Sequence, residues 1–403
     1  MDLLTLSDEA KNFIKTHAND DITKLLLQAH RFPNLPVPAL VAQIQARQKA
    51  KVKLPDWYDN ENIIFPQALS VEQGSSQHTA QFKASLIQGS SLADLTGGMG
   101  VDTAYLSPKF EIVYHIEQNQ DLQQVTQHNF AELGIQNVHF IAGDSVYWLT
   151  NRSAEIPQLS WIYLDPHRRD DIGNKVVRLQ DCEPNILAIK DLLFQHTAHI
   201  LLKASPMLDI DLALRELPET VQVWVISVEN EVKEILFHLG NTISQAPQIT
   251  CVALQKNLPP QQISFFKEEE NRATPPLSKV LRYLYEPNVA LLKGGVFKLI
   301  TQLFGVKKIA PHSHLYTSDT LNPNFIGRSF EVIAVCKLDK KALKPFMPNN
   351  KANITTRNFP LTVKQIREKI KVQEGGNIYW FATTDNHNQK VIIVCQKVTS
   401  INQ

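Results

Sequence analysis

Residues 92–107 read LADLTGGMGVDTAYLS. An apolar run ends in Asp94, glycines follow at 97, 98 and 100, and a helical pattern begins near Asp102 and Thr103, both good N-cap residues. Glycine lets the backbone pass close to a ligand with no Cβ in the way. A strand that turns through such a loop into a helix is the opening move of a doubly wound sheet. The loop then lies at the carboxyl edge of the strands, where nucleotide-like ligands dock.

Working outward from this turn, apolar runs alternate with amphipathic stretches. SLADLT is the first expected strand, FEIVYHIE the second, NVHFIAG the third, LSWIYLD the fourth, AHILLKAS the fifth, VQVWVISV the sixth and QITCVAL the seventh. Helices such as NQDLQQVTQHNFAELG and CEPNILAIKDLLFQ fall between them. This alternation predicts an α/β fold with a parallel, doubly wound, Rossmann-like sheet over residues 75–255. The stretch containing HLGNTISQAP, before the last of these strands, is read as a connection able to return that strand antiparallel.

Residues 1–74 read as a helical region. SDEAKNFIKTHANDDITKLLLQAH has helical spacing, FPNLPVP breaks it, and ALVAQIQARQKAKVKL resumes with a basic end that suits the helix dipole. Residues 256–325 begin with a Pro-rich, charged stretch, PPQQISFFKEEENRATPPLSKV, read as a linker or an excursion, and continue into a small block. Residues 326–403 show SFEVIAVCKL, IYWFATT and KVIIVCQKV as strands around the helix TVKQIREKIKV, a small α+β module. That module has 13 Lys and Arg against 5 Asp and Glu, although the net charge of the whole 403-residue chain is only +1. Such an asymmetry points towards nucleic acid; a solvated lysine face is the plainer alternative.

The hydrophobic content of 43% and charged content of 20% are those of an ordinary globular protein. Cys182, Cys251, Cys336 and Cys395 are scattered without a CxxC, which argues against disulfides and a structural zinc and suits a reducing cytoplasm. The start, MDLLTLSDEAKNFI, has no basic region leading into an apolar core, so no secretory signal is expected. No apolar run reaches the roughly 18 residues of a membrane span.

The glycine loop lacks the third glycine of the dinucleotide fingerprint, because Thr103 stands in that place, and no Gly-Lys-Ser/Thr follows as in a P-loop. An acid ahead of the glycines is wrong for pyrophosphate. It suits a cofactor with a cationic amino group, as S-adenosylmethionine has. Glu117 in YHIEQN ends the second strand, where a carboxylate can accept ribose hydroxyls. Asp144 and Ser145 in IAGDS follow the third, where a carboxylate can accept an adenine amino group, and LDP ends the fourth. The expected cofactor-binding set is therefore Asp94, Thr96, Gly97, Gly98, Gly100, Asp102, Glu117, Asp144 and Ser145.

Taken together, DLTGGMGVD, IEQN, GDS and LDPHRR resemble the successive motifs of class I S-adenosylmethionine-dependent methyltransferases over residues 75–255. More narrowly, LSVEQGSSQHTAQFKA, DPHRR, YLYEPNVALLKGGVF and KIAPHSHLYTS resemble a bacterial group of methyltransferases with a THUMP-like C-terminal domain. The resemblance implies a ferredoxin-like block near residues 280–325, a THUMP-like module near 326–403 and an RNA substrate, rRNA or tRNA.

The reacting end of the crevice is expected at Asp165, Pro166, His167, Arg168 and Arg169. In enzymes that methylate amines, an Asp or Asn at this strand end accepts a hydrogen bond from the target, the following Pro exposes a carbonyl, and an aromatic residue stacks on the base. Asp165 and Pro166 match the first half. His167 offers stacking or proton transfer, and the arginines offer a phosphate clamp or a stacking plane, with an internal ion pair to Asp170, Asp171 or Asp94 as the structural alternative. Ser75, Ser76, His78 and Thr79 form a polar cluster ahead of the first strand, read as a cofactor cap or as an N-cap series for the helix holding Phe82 and Lys83. Lys203, Ser205 and Pro206 are placed on the far wall of the crevice. The leading expectation is an RNA methyltransferase. Methylation of a small anionic metabolite or a protein side chain, and an RNA-binding protein with an inactive methyltransferase domain, are the alternatives.

Overall fold

The computed structural model describes residues 6–152, 158–168 and 178–398. It divides into two compact units: residues 1–222 with 235–245, and residues 223–234 with 246–403.

The first unit opens with helices. Asp8–Thr16, Ile22–Leu27 and Val37–Lys53 share an apolar cluster that includes Phe13, Leu25, Val41 and Ile44. The first helical stretch is two helices, not one. Ser7 accepts a hydrogen bond from the Ala10 amide and Asp21 from the Lys24 amide, so a second N-cap lies within the apolar periodicity and restarts the helix. Short helices Pro55–Asp59, Ala68–Gln73 and Gln77–Ala84 lead to the sheet, the last capped by Ser76.

The sheet strands of this unit are β1 (Gly89–Asp94), β2 (Phe110–Glu117), β3 (Val138–Ala142) and β4 (Trp161–Leu164), followed by a two-residue ladder of β5 (His167–Arg168) with β6 (Cys182–Glu183), then β7 (His199–Ala204). The chain then runs through β8 (Thr220–Val228) and β9 (Glu231–Gly240), and the division between units falls inside these two strands. Within the first unit the order is β3-β2-β1-β4-β7-β9. Strands β1 to β4 and β7 pair in parallel, and β9 is antiparallel to β7. Leu92, Ala93, Ile162, Leu164, Ile200 and Leu201 are fully buried, as strands covered on both faces require. From β1 the chain winds one way through β2 and β3, then returns to the other side for β4 and β7. The crevice of a doubly wound sheet opens at that reversal, beyond the carboxyl ends of β1 and β4.

β9 is an antiparallel strand that the sequence did not suggest. EVKEILFHLG, taken there as part of a connection, forms β9. Glu229 and Asn230 make the two-residue turn before it, both with positive φ, 50° and 62°. Turns with that backbone usually announce themselves as Asn-Gly or Asp-Gly, and Glu-Asn does not.

In the second unit β10 (Gln248–Leu254) pairs antiparallel with β11 (Gln261–Phe266), which leads into the helix Lys267–Arg272. Residues 261–272, expected as linker, are thus ordered structure: Phe265 turns into the core, and the Thr250 and Ser264 hydroxyls join across the ladder. A seven-stranded sheet follows, from β12 (Tyr283–Pro287), β13 (Lys307–Lys308), β14 (Tyr316–Ser318), β15 (Gly327–Cys336), β16 (Asn353–Arg357), β17 (Ile378–Thr384) and β18 (Lys390–Lys397), in the order β13-β14-β12-β15-β18-β17-β16. The expected basic helix runs from Val363 to Ile370 with a Thr362–Gln365 capping box. Its Ile366 and Ile370 pack with Trp380, Ile392 and Val394. β16, NITTR, lies parallel to β17 and was not anticipated. No described helix is long and apolar enough to cross a membrane.

Candidate active site

The glycine loop is shaped by what lies beneath it. A Cβ on Gly97 would stand 2.3 Å from the ring of His115, which is fully buried on β2. Gly100 has φ 77° and occupies the N-cap position of the helix Val101–Leu106. Asp102 and Thr103, expected as caps, therefore lie inside that helix, because the left-handed glycine starts it earlier. The Gly98 amide donates to the Glu117 carboxylate at 2.8 Å, so β2 holds the loop through a charge-assisted bond. A Cβ on Gly98 would meet only the Thr96 carbonyl, at 3.9 Å, which leaves open space over the loop. Burial pushes the His115 imidazole down to about 4, so a neutral ring supports the loop at physiological pH.

The parallel register brings the acidic strand ends to one edge: Asp94 lies beside His115 on β2 and Tyr163 on β4. Asp94 is buried and accepts from the Thr96 amide at 3.0 Å and from the Thr103 hydroxyl. Burial, which these bonds only partly offset, pushes its carboxyl up to about 7. Glu117 also accepts from the Asn119 amide at 2.8 Å. Each of its oxygens thus has one bond, and a carboxylate offers about four acceptor sites. Asp144 is exposed, accepting from the Tyr147 amide at 2.7 Å and the Gln118 side chain at 3.0 Å, while Ser145 is buried.

Behind the loop lies a buried charge network that the sequence reading did not assemble. Asp102 accepts from the Tyr163 hydroxyl at 2.6 Å and the Ser75 hydroxyl at 2.8 Å, and its carboxylate lies 3.1 Å from the Lys83 ammonium, whose side chain has no solvent exposure. Burial would raise the Asp102 carboxyl, but Lys83, Lys203 and the Tyr163 and Ser75 hydroxyls together outweigh it and hold the group below the usual range. Lys203 donates to Asp165 at 2.6 Å and lies 3.9 Å from Asp102. The one signal in the sequence was a lysine inside an apolar strand, HILLKA, which demands a buried partner. Ser75 joins this network while Ser76 caps its helix, so the two serines have separate jobs.

At the end of β4, the Asp165 amide donates to the Thr96 hydroxyl at 2.6 Å, and the same hydroxyl lies 3.4 Å from Asp94. The Asp165 side chain is 35% exposed, so one side of the carboxylate still faces outward. Pro166 is half-buried. His167 is exposed and pairs through its backbone with Glu183 in the β5–β6 ladder. Arg169, Asp170, Asp171 and the Arg168 side chain lie outside the described residues.

The sequence matches two domain families, a ferredoxin-like domain over residues 283–325 and a THUMP-like domain over residues 327–397. No curated protein matches it. Among solved structures, a candidate methyltransferase from Porphyromonas gingivalis W83 is 29% identical, covers 98% of both chains and superposes with a TM-score of 0.85. TrmK of M. capricolum, solved with S-adenosylhomocysteine, is 14% identical over 45% of this chain and 71% of its own, with a TM-score of 0.31. An rRNA methylase from Streptococcus thermophilus is 16% identical over 41% and 93%, with a TM-score of 0.29. The chain is thus similar along its whole length to that candidate methyltransferase, and it carries a ferredoxin-like and a THUMP-like domain after the doubly wound sheet.

Proposed function

We propose that the protein transfers a methyl group from S-adenosylmethionine to RNA. The observation that carries this reading is the pairing of an open glycine loop with carboxylates at successive strand ends. Asp94 sits under the loop, Glu117 grips it with acceptor sites to spare, and Asp144 stands after β3. These residues fit the donor in kind. Asp94 provides a carboxylate for an ammonium, Glu117 acceptors for a pair of ribose hydroxyls, and Asp144 an acceptor for an exocyclic amine. Bound there, the cofactor supplies a methyl group on a cationic sulfonium. The chain's own part is to position the acceptor, exclude water and take one proton, and we assign the last of these to Asp165. The excess of 13 basic over 5 acidic residues in 326–403 supports an RNA substrate, through phosphate contacts that need no sequence readout. An RNA substrate and four free cysteines together suit a cytoplasmic setting.

The test is calorimetry with S-adenosylmethionine, followed by transfer of labelled methyl to total RNA from a strain lacking the gene. Heat of binding and label that disappears on RNase treatment are the expected results. No heat of binding would overturn the methyltransferase reading. Label in small molecules or protein would overturn the RNA substrate alone.

A further inference from the structure

Resting on that reading, we propose that the acceptor atom is a hydroxyl oxygen, the ribose 2′-hydroxyl of an RNA, and that the Lys203–Asp165 pair selects it over a base nitrogen. Asp165 does not stand alone at the end of β4. One carboxylate oxygen is bound by the Lys203 ammonium at 2.6 Å. Lys203 is held in turn near Asp102, at 3.9 Å, and Asp102 is fixed by Lys83, Tyr163 and Ser75. The ammonium is nearly buried while Asp165 is partly open, so an acceptor reaching Asp165 also meets a fixed positive charge.

That charge discriminates between acceptor chemistries. A nitrogen that attacks a methyl group gains positive charge until it sheds a proton, and a neighbouring ammonium opposes this. A hydroxyl oxygen becomes more negative as its proton leaves, and the same ammonium stabilises it. The second oxygen of Asp165 remains to accept that proton. In the step, the oxygen–carbon bond forms as the carbon–sulfur bond breaks. The electron pair goes to sulfur, which becomes a neutral thioether, and the hydroxyl proton passes to Asp165 and then to water.

Alkaline hydrolysis of the labelled RNA tests this, because RNA cleaves through its free 2′-hydroxyl. Label in alkali-resistant dinucleotides is expected, and label in mononucleotides would overturn the proposal while leaving methyl transfer intact. Label absent from the RNA of a protein that binds the cofactor would overturn it too, because no RNA hydroxyl is then the acceptor. A protein that binds no cofactor fails the underlying reading. Lys203→Met should lose transfer by about 100-fold or more, the scale of a lost charge-stabilising group. Lys203→Arg, which keeps the charge, should fall between it and the native protein. Calorimetry should show both variants binding S-adenosylmethionine as the native chain does, and their melting should confirm that they fold. Lys203→Met with unimpaired transfer would overturn the role given to Lys203.

Discussion

Replacing Gly97 with alanine tests whether the loop's course is set by the ring beneath it. The new Cβ would lie 2.3 Å from Cε1 and 2.4 Å from Nε2 of His115. Carbon atoms in contact sit at about 3.5–4.0 Å, so something must move by more than an ångström. His115 cannot yield easily. It is fully buried, with Phe140 and Phe130 at ring distances of 5.5 Å and 6.2 Å. The loop must lift, at an overpacking cost of about 1–3 kcal/mol. For a unit of this size that lowers the melting temperature by roughly 2–12 °C. Lifting also breaks the bond from the Gly98 amide to Glu117, and losing a charge-assisted bond of about 1.5–3 kcal/mol weakens cofactor binding by roughly 10- to 100-fold. Calorimetry gives the affinity, and differential scanning calorimetry gives the melting of the first unit. The double variant Gly97→Ala/His115→Ala returns the missing space and should recover part of the affinity, a coupling that a double-mutant cycle resolves. A Gly97→Ala protein with native melting and native affinity would refute the reasoning.

Three further outcomes follow from the same structure. Lys83→Met strands Asp102 with Lys203, Tyr163 and Ser75 as its remaining partners, at a cost of about 3 kcal/mol in the first unit; adding Asp102→Asn should restore part of it, measured by denaturant titration. Asp94 is raised to about 7, and a cationic ligand beside it selects the ionised form, so cofactor affinity should fall as pH drops below about 7, by up to roughly tenfold per pH unit, with protons released on binding; calorimetry in buffers of different ionisation enthalpy checks this, and Asp94→Asn should flatten the profile. In the second unit Gly327 has φ 152° and its Cβ would stand 2.2 Å from the Glu286 carbonyl oxygen, so Gly327→Ala should cost at least about 1–3 kcal/mol in the melting of that unit.

Much of the catalytic fold could be read from the chain because its signals are local. Parallel strands buried on both faces appear as short apolar runs, and the ends of those runs carry their acids to one edge whatever the packing around them. β9 escaped because a hairpin turn of Glu229 and Asn230 has no glycine to announce it. β11 escaped because QQISFF has a single core residue, Phe265, within a polar and Pro-rich neighbourhood. The Lys83–Asp102–Lys203–Asp165 network joins a helix before β1, the helix after it and the ends of two other strands. Nothing in a linear pattern pairs such residues. Asp102 was expected as a helix cap, a place that Gly100 takes, and its carboxylate is engaged by lysines, a tyrosine and a serine.

The Thr96 hydroxyl, set between Asp94 and Asp165, has a thermodynamic consequence. One rotor serves both the carboxyl beneath the glycine loop and the strand end that meets the acceptor. A change of charge at Asp94 alters the best orientation of that rotor, and the Asp165 amide feels it. Linkage is reciprocal, so whatever factor the donor applies to acceptor affinity, the acceptor must apply to donor affinity. Donor and acceptor binding should therefore be non-additive in this protein, and Thr96→Val, which removes the shared hydroxyl, should bring the two closer to independence.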